Sequence, residues 1–182
     1  MRSPYFFIVK PKGERYSNMD GGIAVSSSIE DASATNRFAE VIATPLSYSG
    51  DIKKGDILVV HHNIFRYFND IKGKRVSSNS FFKDDIFFVG DDQFFLYGRD
   101  GQWYSHADYC FIKPIPVRQG AILKAGSEEP LLGIVVYGNP LLEEQGVYIG
   151  DEVLFEPESE YTFHIEGEKL YRMRTKDIVA IC

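Results

Sequence analysis

Apolar residues occur along this 182-residue chain in short runs rather than in long helical stripes. The runs are rich in Val, Ile, Phe and Tyr and are bounded by Gly, Pro, Asp or Asn, and no stretch keeps helical spacing for three turns. This pattern predicts an all-β protein. The expected strands are Tyr5–Lys10, Ala39–Ala43, Ile57–His61, Ile86–Val89, Phe94–Tyr97, Tyr109–Lys113, Gly133–Tyr137, Glu152–Phe155, Tyr161–Ile165, Leu170–Met173 and Ile178–Ile181.

Four blocks of the first half of the chain match four blocks of the second half in the same order. The matched pairs are YFFIVKP at Tyr5 with YCFIKPI at Tyr109, AEVIATP at Ala39 with LGIVVYG at Leu132, IKKGDILVV at Ile52 with VYIGDEVLF at Val147, and FFVGDDQFFLY at Phe87 with FHIEGEKLYRM at Phe163. Because an ordered set of matches indicates an internal repeat, the sequence predicts two β modules, residues 1–104 and 105–182.

Two insertions distinguish the first module from the second. Additional residues fall in a long segment at about 13–38, and a further insertion, HHNIFRYFNDIKGKRVSSNSFFKDD, spans about 61–85. The long segment holds only a small apolar patch, Ile23, Ala24 and Val25, which cannot build a core of its own. Related modules diverge in function mainly in their loops, so we expect another surface to bury this patch.

A Gly-Asp pair precedes an apolar strand in each module, at Gly55–Asp56 and Gly150–Asp151. Glycine adopts a positive φ without strain, and an aspartate side chain accepts hydrogen bonds from backbone N–H groups in a turn. We therefore expect both pairs to form structural turns rather than catalytic sites.

Composition places the chain among folded proteins, because 44% of its residues are apolar and 14% are aromatic. Its formal net charge of -6 argues against nucleic-acid binding as the main activity, since that affinity depends on a basic surface. No apolar run reaches the roughly 18 residues that span a bilayer, and the first residues lack a secretory signal pattern. Neither Cys110 nor Cys182 suggests a disulfide, so a reducing, cytoplasmic location without a membrane partner is expected.

The titratable clusters of the sequence form no recognisable catalytic or metal-binding pattern. His61 and His62 end a predicted strand, where successive side chains point to opposite faces, so we expect them to meet solvent or a neighbouring subunit rather than share a metal ion. The pairs Asp84–Asp85 and Asp91–Asp92 flank short strands and are expected in turns. The sequence also lacks a phosphate loop and a nucleophile elbow. It therefore predicts no enzyme activity, metal or cofactor.

One stretch of the second insertion could suit single-stranded nucleic acid. Ile64–Phe68 carries aromatic residues and Lys72–Arg75 adds positive charge, and such groups can stack on bases and hold phosphates. The acidic balance of the whole chain argues against this function. A packing or assembly role is preferred for the insertion, and no nucleic-acid partner is predicted.

The second module carries four motifs in order: the strand Gly133–Gly138, the V-x-x-G-D-x-V-x-F strand Val147–Phe155, the E-G-E-x-L hairpin Glu166–Leu170 and the D-I-x-A-I strand Asp177–Ile181. These motifs resemble the body of the ten-kilodalton co-chaperonins, the GroES family. In the first module the resemblance lies mainly in the long segment, where two glycines precede three small apolar residues and a run of serines before the chain returns at Ala39.

The resemblance implies two tandem GroES-like small β-barrels in one chain. It also implies that the long segment is a mobile loop that binds a groove on an ATP- or ADP-bound GroEL-type chaperonin ring through Gly21, Gly22, Ile23, Ala24 and Val25. In this interpretation the chain forms a homo-oligomeric ring, caps the chaperonin and assists ATP-dependent protein folding. A divergent version of the family, for example from a bacteriophage, would have this organisation.

The sequence leaves two alternatives open. Ala121, Ile122 and Leu123 occupy the corresponding position of the second module and could form a second chaperonin-binding loop or begin a strand. Both modules are also short between the return strand and the Gly-Asp turn, which suggests little or no roof hairpin.

The alternative function is a structural or assembly protein, for example in a viral particle, that reuses the tandem barrels without binding a chaperonin.

Overall fold

A computed structural model of the chain describes residues 1–16, 35–117 and 128–182. It divides into two compact units, Met1–Gln102 and Trp103–Cys182. The described residues form fifteen β-strands in antiparallel sheets, one short α-helix and one 3₁₀ helix, so the prediction of an all-β protein is confirmed. No helix within these ranges is long and apolar enough to cross a membrane.

The first unit consists of a main sheet and a small separate hairpin. Its strands are β1 (Phe7–Pro11), β2 (Phe38–Ala43), β3 (Ile57–Val60), β4 (Tyr67–Asn69), β5 (Arg75–Ser77), β6 (Phe81–Lys83), β7 (Ile86–Val89) and β8 (Phe94–Arg99), and β9 (Gln102–Ser105) carries the chain onward into the second unit. The main sheet has the order β6-β7-β1-β2-β3-β8-β9, while β4 and β5 form a two-stranded sheet.

The second unit contains one six-stranded sheet with the order β13-β14-β10-β11-β12-β15. Its strands are β10 (Tyr109–Pro116), β11 (Glu128–Tyr137), β12 (Glu152–Phe155), β13 (Tyr161–Ile165), β14 (Glu168–Arg174) and β15 (Ile178–Ile181). The helix α1 (Pro140–Glu144) lies between β11 and β12. Its first turn is capped by the Asn139 side chain, which accepts a hydrogen bond from the Leu142 N–H at 3.0 Å.

The two sheets share one strand order. When β6, β7, β1, β2, β3 and β8 are matched with β13, β14, β10, β11, β12 and β15, each strand occupies the same place in its sheet and in the chain. Within the described ranges, neither sheet closes into a barrel through its strand pairing. The structure therefore shows two antiparallel sheets of repeated topology.

The register of the strands supports the same equivalence. The pairing of β1 with β2 shifts register between Ile8 and Val9. The pairing of β10 with β11 shifts register at the equivalent place, between Phe111 and Ile112. A second matching break lies at Val59/Val60 on β3 and at Leu154/Phe155 on β12. Because a β-bulge bends and twists its strand locally, the two sheets change direction at equivalent positions.

The register also corrects three of the four sequence matches. The first two are out by one residue, because Pro11 and Ala39 correspond to Pro114 and Gly133, and the fourth is out by a whole strand. The fourth sequence match pairs the block at Phe87 with the block at Phe163, which equates β7 with β13. In the structure Phe87 on β7 pairs with the opening strand of its unit, and the residue that does so in the second unit is Tyr171 on β14. Residues 87–97 therefore correspond to residues 171–181, one strand later than expected. Both alignments place apolar residues on strands, so only the pairing distinguishes them.

The two Gly-Asp turns have the same geometry. Gly55 and Gly150 have φ values of +94° and +97°. The carboxylates of Asp56 and Asp151 each accept a hydrogen bond from the backbone N–H three residues earlier, at 2.7 and 2.8 Å. The structural role that the sequence predicted for both pairs is confirmed.

Each unit has a hydrophobic core, and the second insertion contributes to the first of them. Ile64 and Phe65, which precede β4, are 1% and 0% exposed. The Phe65 ring meets Phe87 edge to face at 4.8 Å. The second core consists of Cys110, Ile112, Val135, Leu142, Val147, Val153, Phe155 and Met173. The insertion is therefore anchored in the first unit at its beginning.

Gly133 on β11 occupies the place that Ala39 occupies on β2. A Cβ atom at Gly133 would lie 2.4 Å from Ile112 Cγ2 and 2.8 Å from the Lys113 carbonyl oxygen. We therefore expect Gly133→Ala to lower the free energy of unfolding of the second unit by about 1 to 3 kcal/mol, because a backbone atom must move. Urea denaturation followed by the fluorescence of the sole tryptophan, Trp103, would measure this loss.

The matched control is Gly138→Ala in the same unit. A Cβ atom there would have Ile149 as its nearest neighbour at 3.7 Å, which is an ordinary van der Waals distance. This variant should keep the parent's urea midpoint. Equal midpoints for Gly133→Ala and the parent would show that the strand adapts to the added carbon.

Candidate functional site

The residues predicted to bind a chaperonin lie outside the described parts of the chain. Gly21, Gly22, Ile23, Ala24 and Val25 belong to residues 17–34, and Ala121, Ile122 and Leu123 belong to residues 118–127. The structure describes the points where the chain enters and leaves these two segments. We call them the first root, residues 12–16 and 35–38, and the second root, residues 113–117 and 128–132.

The two halves of the first root lie side by side. Tyr16 and Thr35 form an isolated antiparallel bridge, and both are buried, at 8% and 4% exposure. The Asn36 N–H donates to the Arg15 carbonyl at 2.9 Å. The Asn36 side-chain amide donates to the carbonyls of Lys12 and Glu14 at 3.0 and 2.8 Å. Segment 17–34 therefore begins and ends at one place in the first unit.

The second insertion packs against this root. The Arg15 side chain donates from Nε and Nη2 to the Phe65 carbonyl at 3.0 and 2.8 Å. The backbone N–H of Tyr67, the first residue of β4, donates to the Tyr16 hydroxyl oxygen at 2.7 Å. The two insertions of the first module, which are far apart in sequence, therefore meet at one site.

Aromatic rings and guanidinium groups form the outer part of this contact. The rings of Tyr16 and Tyr67 are stacked, with centroids 5.8 Å apart and an interplanar angle of 9°. The guanidinium carbon of Arg15 lies 3.8 Å from the Tyr67 centroid, and that of Arg75 on β5 lies 3.6 Å from it. Cation–π contacts at such distances are favourable. The mixed aromatic and basic composition of the insertion thus serves packing within the unit.

Burial shapes the electrostatics of the first root. The pKa of the Arg15 guanidinium is lowered, chiefly by burial, while the neighbouring Tyr67, Tyr16 and Asp85 act in the opposite direction. Arginine stays protonated under such shifts, so Arg15 keeps its charge and its donors. Sequence reasoning missed this residue. The available signal was that each insertion contains an Arg-Tyr pair, Arg15–Tyr16 in the first insertion and Arg66–Tyr67 in the second.

The second root is built differently, around an ion pair. Glu128, the first residue of β11, lies opposite Pro116 on β10. The Lys169 ammonium donates to one Glu128 carboxylate oxygen at 2.8 Å and to the Tyr171 hydroxyl at 3.0 Å. The Tyr171 hydroxyl donates to the other Glu128 oxygen. Three side chains from β11 and β14 therefore hold the point where segment 118–127 returns.

The charges of this network stabilise one another. Burial alone would raise the pKa of Glu128, but hydrogen bonds from Lys169 and Tyr171 outweigh it and lower the pKa overall. The hydrogen bond to Glu128 raises the pKa of Lys169. Burial, followed by Glu128, raises the pKa of Tyr171. Glu128 and Lys169 are therefore both charged at neutral pH. The attraction between these opposite charges holds the second root together.

His61 and His62 lie at the end of β3 with their ring centroids 4.2 Å apart. Burial is the main cause that lowers the pKa of His62 to about 4, and the charges of His61, Arg37 and Arg66 act in the same direction. His62 is therefore neutral at neutral pH. In the described ranges, no group of three or more His, Cys, Asp or Glu side chains is placed to hold a metal ion.

The paired aspartates lie in turns. Asp84 and Asp85 have φ values of +48° and +57° and connect β6 to β7. Asp91 and Asp92 lie between β7 and β8, where the Gln93 side chain accepts a hydrogen bond from the Gly90 N–H at 2.8 Å. The turn positions predicted for both pairs are confirmed.

An open cleft of about 600 Å³ lies beside the inserted hairpin. In the described ranges the lining contains one carboxylate, Asp92, and no lysine or arginine. It consists of His61, Asn63, Ile64, Phe68, Val76, Ser77, Ser78, Asn79, Ser80, Asp92 and Gln93. Because phosphate binding requires a basic surface, this cleft does not favour the nucleic-acid interpretation of the insertion.

No family model matches the chain, and no curated protein is similar to it. The features of the chain that bear on its function are therefore the sequence motifs, the repeated sheets and the two roots.

Proposed function

We propose that the protein is a GroES-type co-chaperonin that caps a GroEL-type chaperonin ring and assists ATP-dependent protein folding. The observation that carries this proposal is the position of the first root. Segment 17–34 leaves the sheet after β1 and returns at β2, which is where the resemblance places the chaperonin-binding loop. The glycines and the apolar triplet Ile23, Ala24 and Val25 belong to this segment.

The repeated strand order supports the tandem part of the proposal. Each unit has the same six strands in the same order, and each has a segment between its first two strands. In the proposal each unit corresponds to one co-chaperonin barrel. The first segment supplies the chaperonin contact, and Ala121, Ile122 and Leu123 of the second segment are available for an additional one.

Multivalency explains how a small apolar triplet can be sufficient. One buried aliphatic side chain contributes about 1.5 to 3 kcal/mol before the cost of ordering the segment is subtracted. A single segment therefore binds weakly. When several copies are joined in one ring, each further segment binds intramolecularly and the total affinity increases steeply. Weak individual contacts also allow the cap to dissociate after each cycle.

Exposed apolar edges support self-association of the chain. On β6, an edge strand of the first sheet, Phe81 and Phe82 are 37% and 47% exposed. On β15, an edge strand of the second sheet, Val179 and Ile181 are 57% and 49% exposed. Edge strands with apolar side chains favour pairing with another chain. A homo-oligomeric ring would cover such edges.

The test is sedimentation of the purified chain with and without a GroEL-type chaperonin, in the presence of ATP, ADP or no nucleotide. We expect co-sedimentation with the chaperonin when nucleotide is present and none without it. The mass of the chain alone, measured by light scattering, should be a multiple of the 20.7 kDa monomer. Absence of co-sedimentation under every nucleotide condition would refute the proposal.

A second candidate, a structural or assembly protein, is favoured by one further observation. Tyr5, Phe6 and Phe82 are 75%, 46% and 47% exposed, and Phe6 and Phe82 lie 6.3 and 5.4 Å from Phe88. Such an aromatic cluster suits a contact between subunits. Under this alternative, light scattering would detect the same large particle whether or not the chaperonin and nucleotide are added.

A further inference from the structure

We infer that the inserted hairpin, β4 and β5, acts as a clamp on the first root and that it determines how firmly segment 17–34 holds its partner. The part of this inference that concerns the partner rests on the proposed function. The clamp itself can be measured without any chaperonin. Arg15 and Tyr16 of the root, with Phe65 and Tyr67 of the insertion, are its positioning residues.

The clamp is firm because its acceptor group is fixed in the core. Arg15 donates twice to the carbonyl of Phe65, and the Phe65 side chain is fully buried against Phe87. The far end of the hairpin is tied to the same place, since the Ser78 hydroxyl donates to the Ile64 carbonyl at 2.5 Å. The root is therefore bonded to the interior of the unit through Phe65, at the base of the hairpin.

Comparison of the two units shows what the hairpin adds. In the first unit the chain between β3 and β6 contains β4 and β5, whereas in the second unit only residues 156–160 join β12 to β13. Phe87 and its counterpart in the second unit, Tyr171, each have a cationic side chain near the face of the ring. This cation is Arg15 of the root in the first unit, at 4.9 Å, and Lys169 of β14 in the second, at 4.9 Å from Tyr171. Only the first root thus supplies its own cation, which the hairpin holds.

A fixed root lowers the cost of binding. When a partner orders a segment, the segment loses conformational entropy, and residues that are already ordered contribute no further loss. Loosening the root should therefore weaken binding mainly through faster dissociation. It should also speed the exchange of the root's backbone amides with solvent.

The test variant is Arg15→Met, which keeps much of the side-chain volume but removes both hydrogen bonds to Phe65. Hydrogen exchange should become about tenfold faster at the amides of Lys12 and Asn36, which donate to the carbonyls of Phe38 and Arg15 in the parent. The amide of Val135 in the second unit should keep its rate. With a chaperonin and ATP, the variant should dissociate at least several-fold faster than the parent.

The matched control is Arg75→Met. Arg15 and Arg75 both lie against the Tyr67 ring, at 3.8 and 3.6 Å, but only Arg15 belongs to the root. The control removes the same type of contact and the same charge, so it should leave the exchange of the Asn36 amide within about twofold of the parent. Equal exchange in the parent and Arg15→Met, or equal acceleration in both variants, would overturn the clamp.

Tyr16→Phe provides a milder variant should Arg15→Met fail to fold. It removes only the hydroxyl that accepts the Tyr67 N–H, so exchange of the Tyr67 and Asn36 amides should accelerate by about fivefold while the urea midpoint changes little. No acceleration in this variant would also overturn the clamp. If the parent does not bind a chaperonin but the exchange results hold, the proposed function fails and the clamp stands.

Discussion

Replacing Arg99 with methionine is expected to lower the free energy of unfolding of the first unit by about 2 kcal/mol at neutral pH. The Asp56 residue is 3% exposed, and Arg99 donates to its two carboxylate oxygens at 2.7 and 2.6 Å. Methionine leaves a buried carboxylate that keeps the Lys53 N–H as a donor. Urea denaturation followed by circular dichroism would measure the loss, with amide exchange at Val41 as a local probe.

This loss should depend on pH because Asp56 titrates. Burial alone would raise the pKa of Asp56, but Arg99 and the Lys53 N–H lower it below its ordinary value. In the parent, the resulting stability is present above the ordinary aspartate pKa and is lost as the pH falls through the lowered value. In the variant the arginine no longer lowers this pKa, so protonation of Asp56 costs the folded state less than it does in the parent. The difference between parent and variant should therefore narrow below about pH 4.

Two further variants separate the charge from the turn. Adding Asp56→Asn to Arg99→Met removes the unpaired charge and should restore part of the lost stability at neutral pH. Asp151→Asn changes the equivalent turn of the second unit, where the carboxylate is only half-buried, and should cost about 1 kcal/mol or less. A difference between the parent and Arg99→Met that is the same at neutral and acid pH would contradict this account.

Replacing Ile23 or Val25 with aspartate should abolish the ATP-dependent complex with a chaperonin if the proposed function is correct. Each of these side chains contributes about 1.5 to 3 kcal/mol when it is buried in an apolar groove, and a carboxylate there adds a desolvation penalty. Because the loss recurs in every copy of a ring, it exceeds the loss at a single site. Sedimentation with a chaperonin and ATP would measure binding, and circular dichroism would verify the fold.

Ser28→Asp is the matched control for this experiment. It adds the same charge to the same segment, three residues beyond Val25, but it leaves the apolar triplet unchanged. This variant should retain most of the binding of the parent. If Ile23→Asp and Val25→Asp bind as well as Ser28→Asp, the triplet is not the chaperonin contact.

The main strands were predictable because their residues alternate or cluster in ways that a buried sheet requires. Strands such as β7 and β8 are rich in Phe and bounded by turn residues, and the Gly-Asp pairs identify the turns before β3 and β12. The shorter strands were missed for a physical reason. Phe81–Lys83 is exposed along its whole length, so no core imposes a pattern on it. The helix at Pro140 was also missed, although Asn139 followed by proline is a typical helix start.

Contacts between distant parts of the chain were not predictable from patterns alone. The sequence identified the long segment at about 13–38 and the insertion at about 61–85 separately, but nothing local indicates that Arg15 reaches the Phe65 carbonyl. The fourth repeat block was misplaced for the same reason, because strand pairing depends on partners elsewhere in the chain. The functional residues Ile23 and Val25 stay a prediction from the family resemblance.

Two modules with one strand order create a hazard during folding, since a strand of one could be captured by the sheet of the other. Because the two sheets share their β-bulges, their backbones do little to distinguish a correct strand from the equivalent strand of the other sheet. Side chains distinguish the two sheets at one position at least. Ile112 leaves no room for a side chain at Gly133, since an added Cβ atom would lie 2.4 Å from Ile112 Cγ2. If β2 took the place of β11, the methyl group of Ala39 would collide with Ile112. We therefore expect the missing carbon at Gly133 to disfavour assembly of the two halves of the chain in the wrong combination.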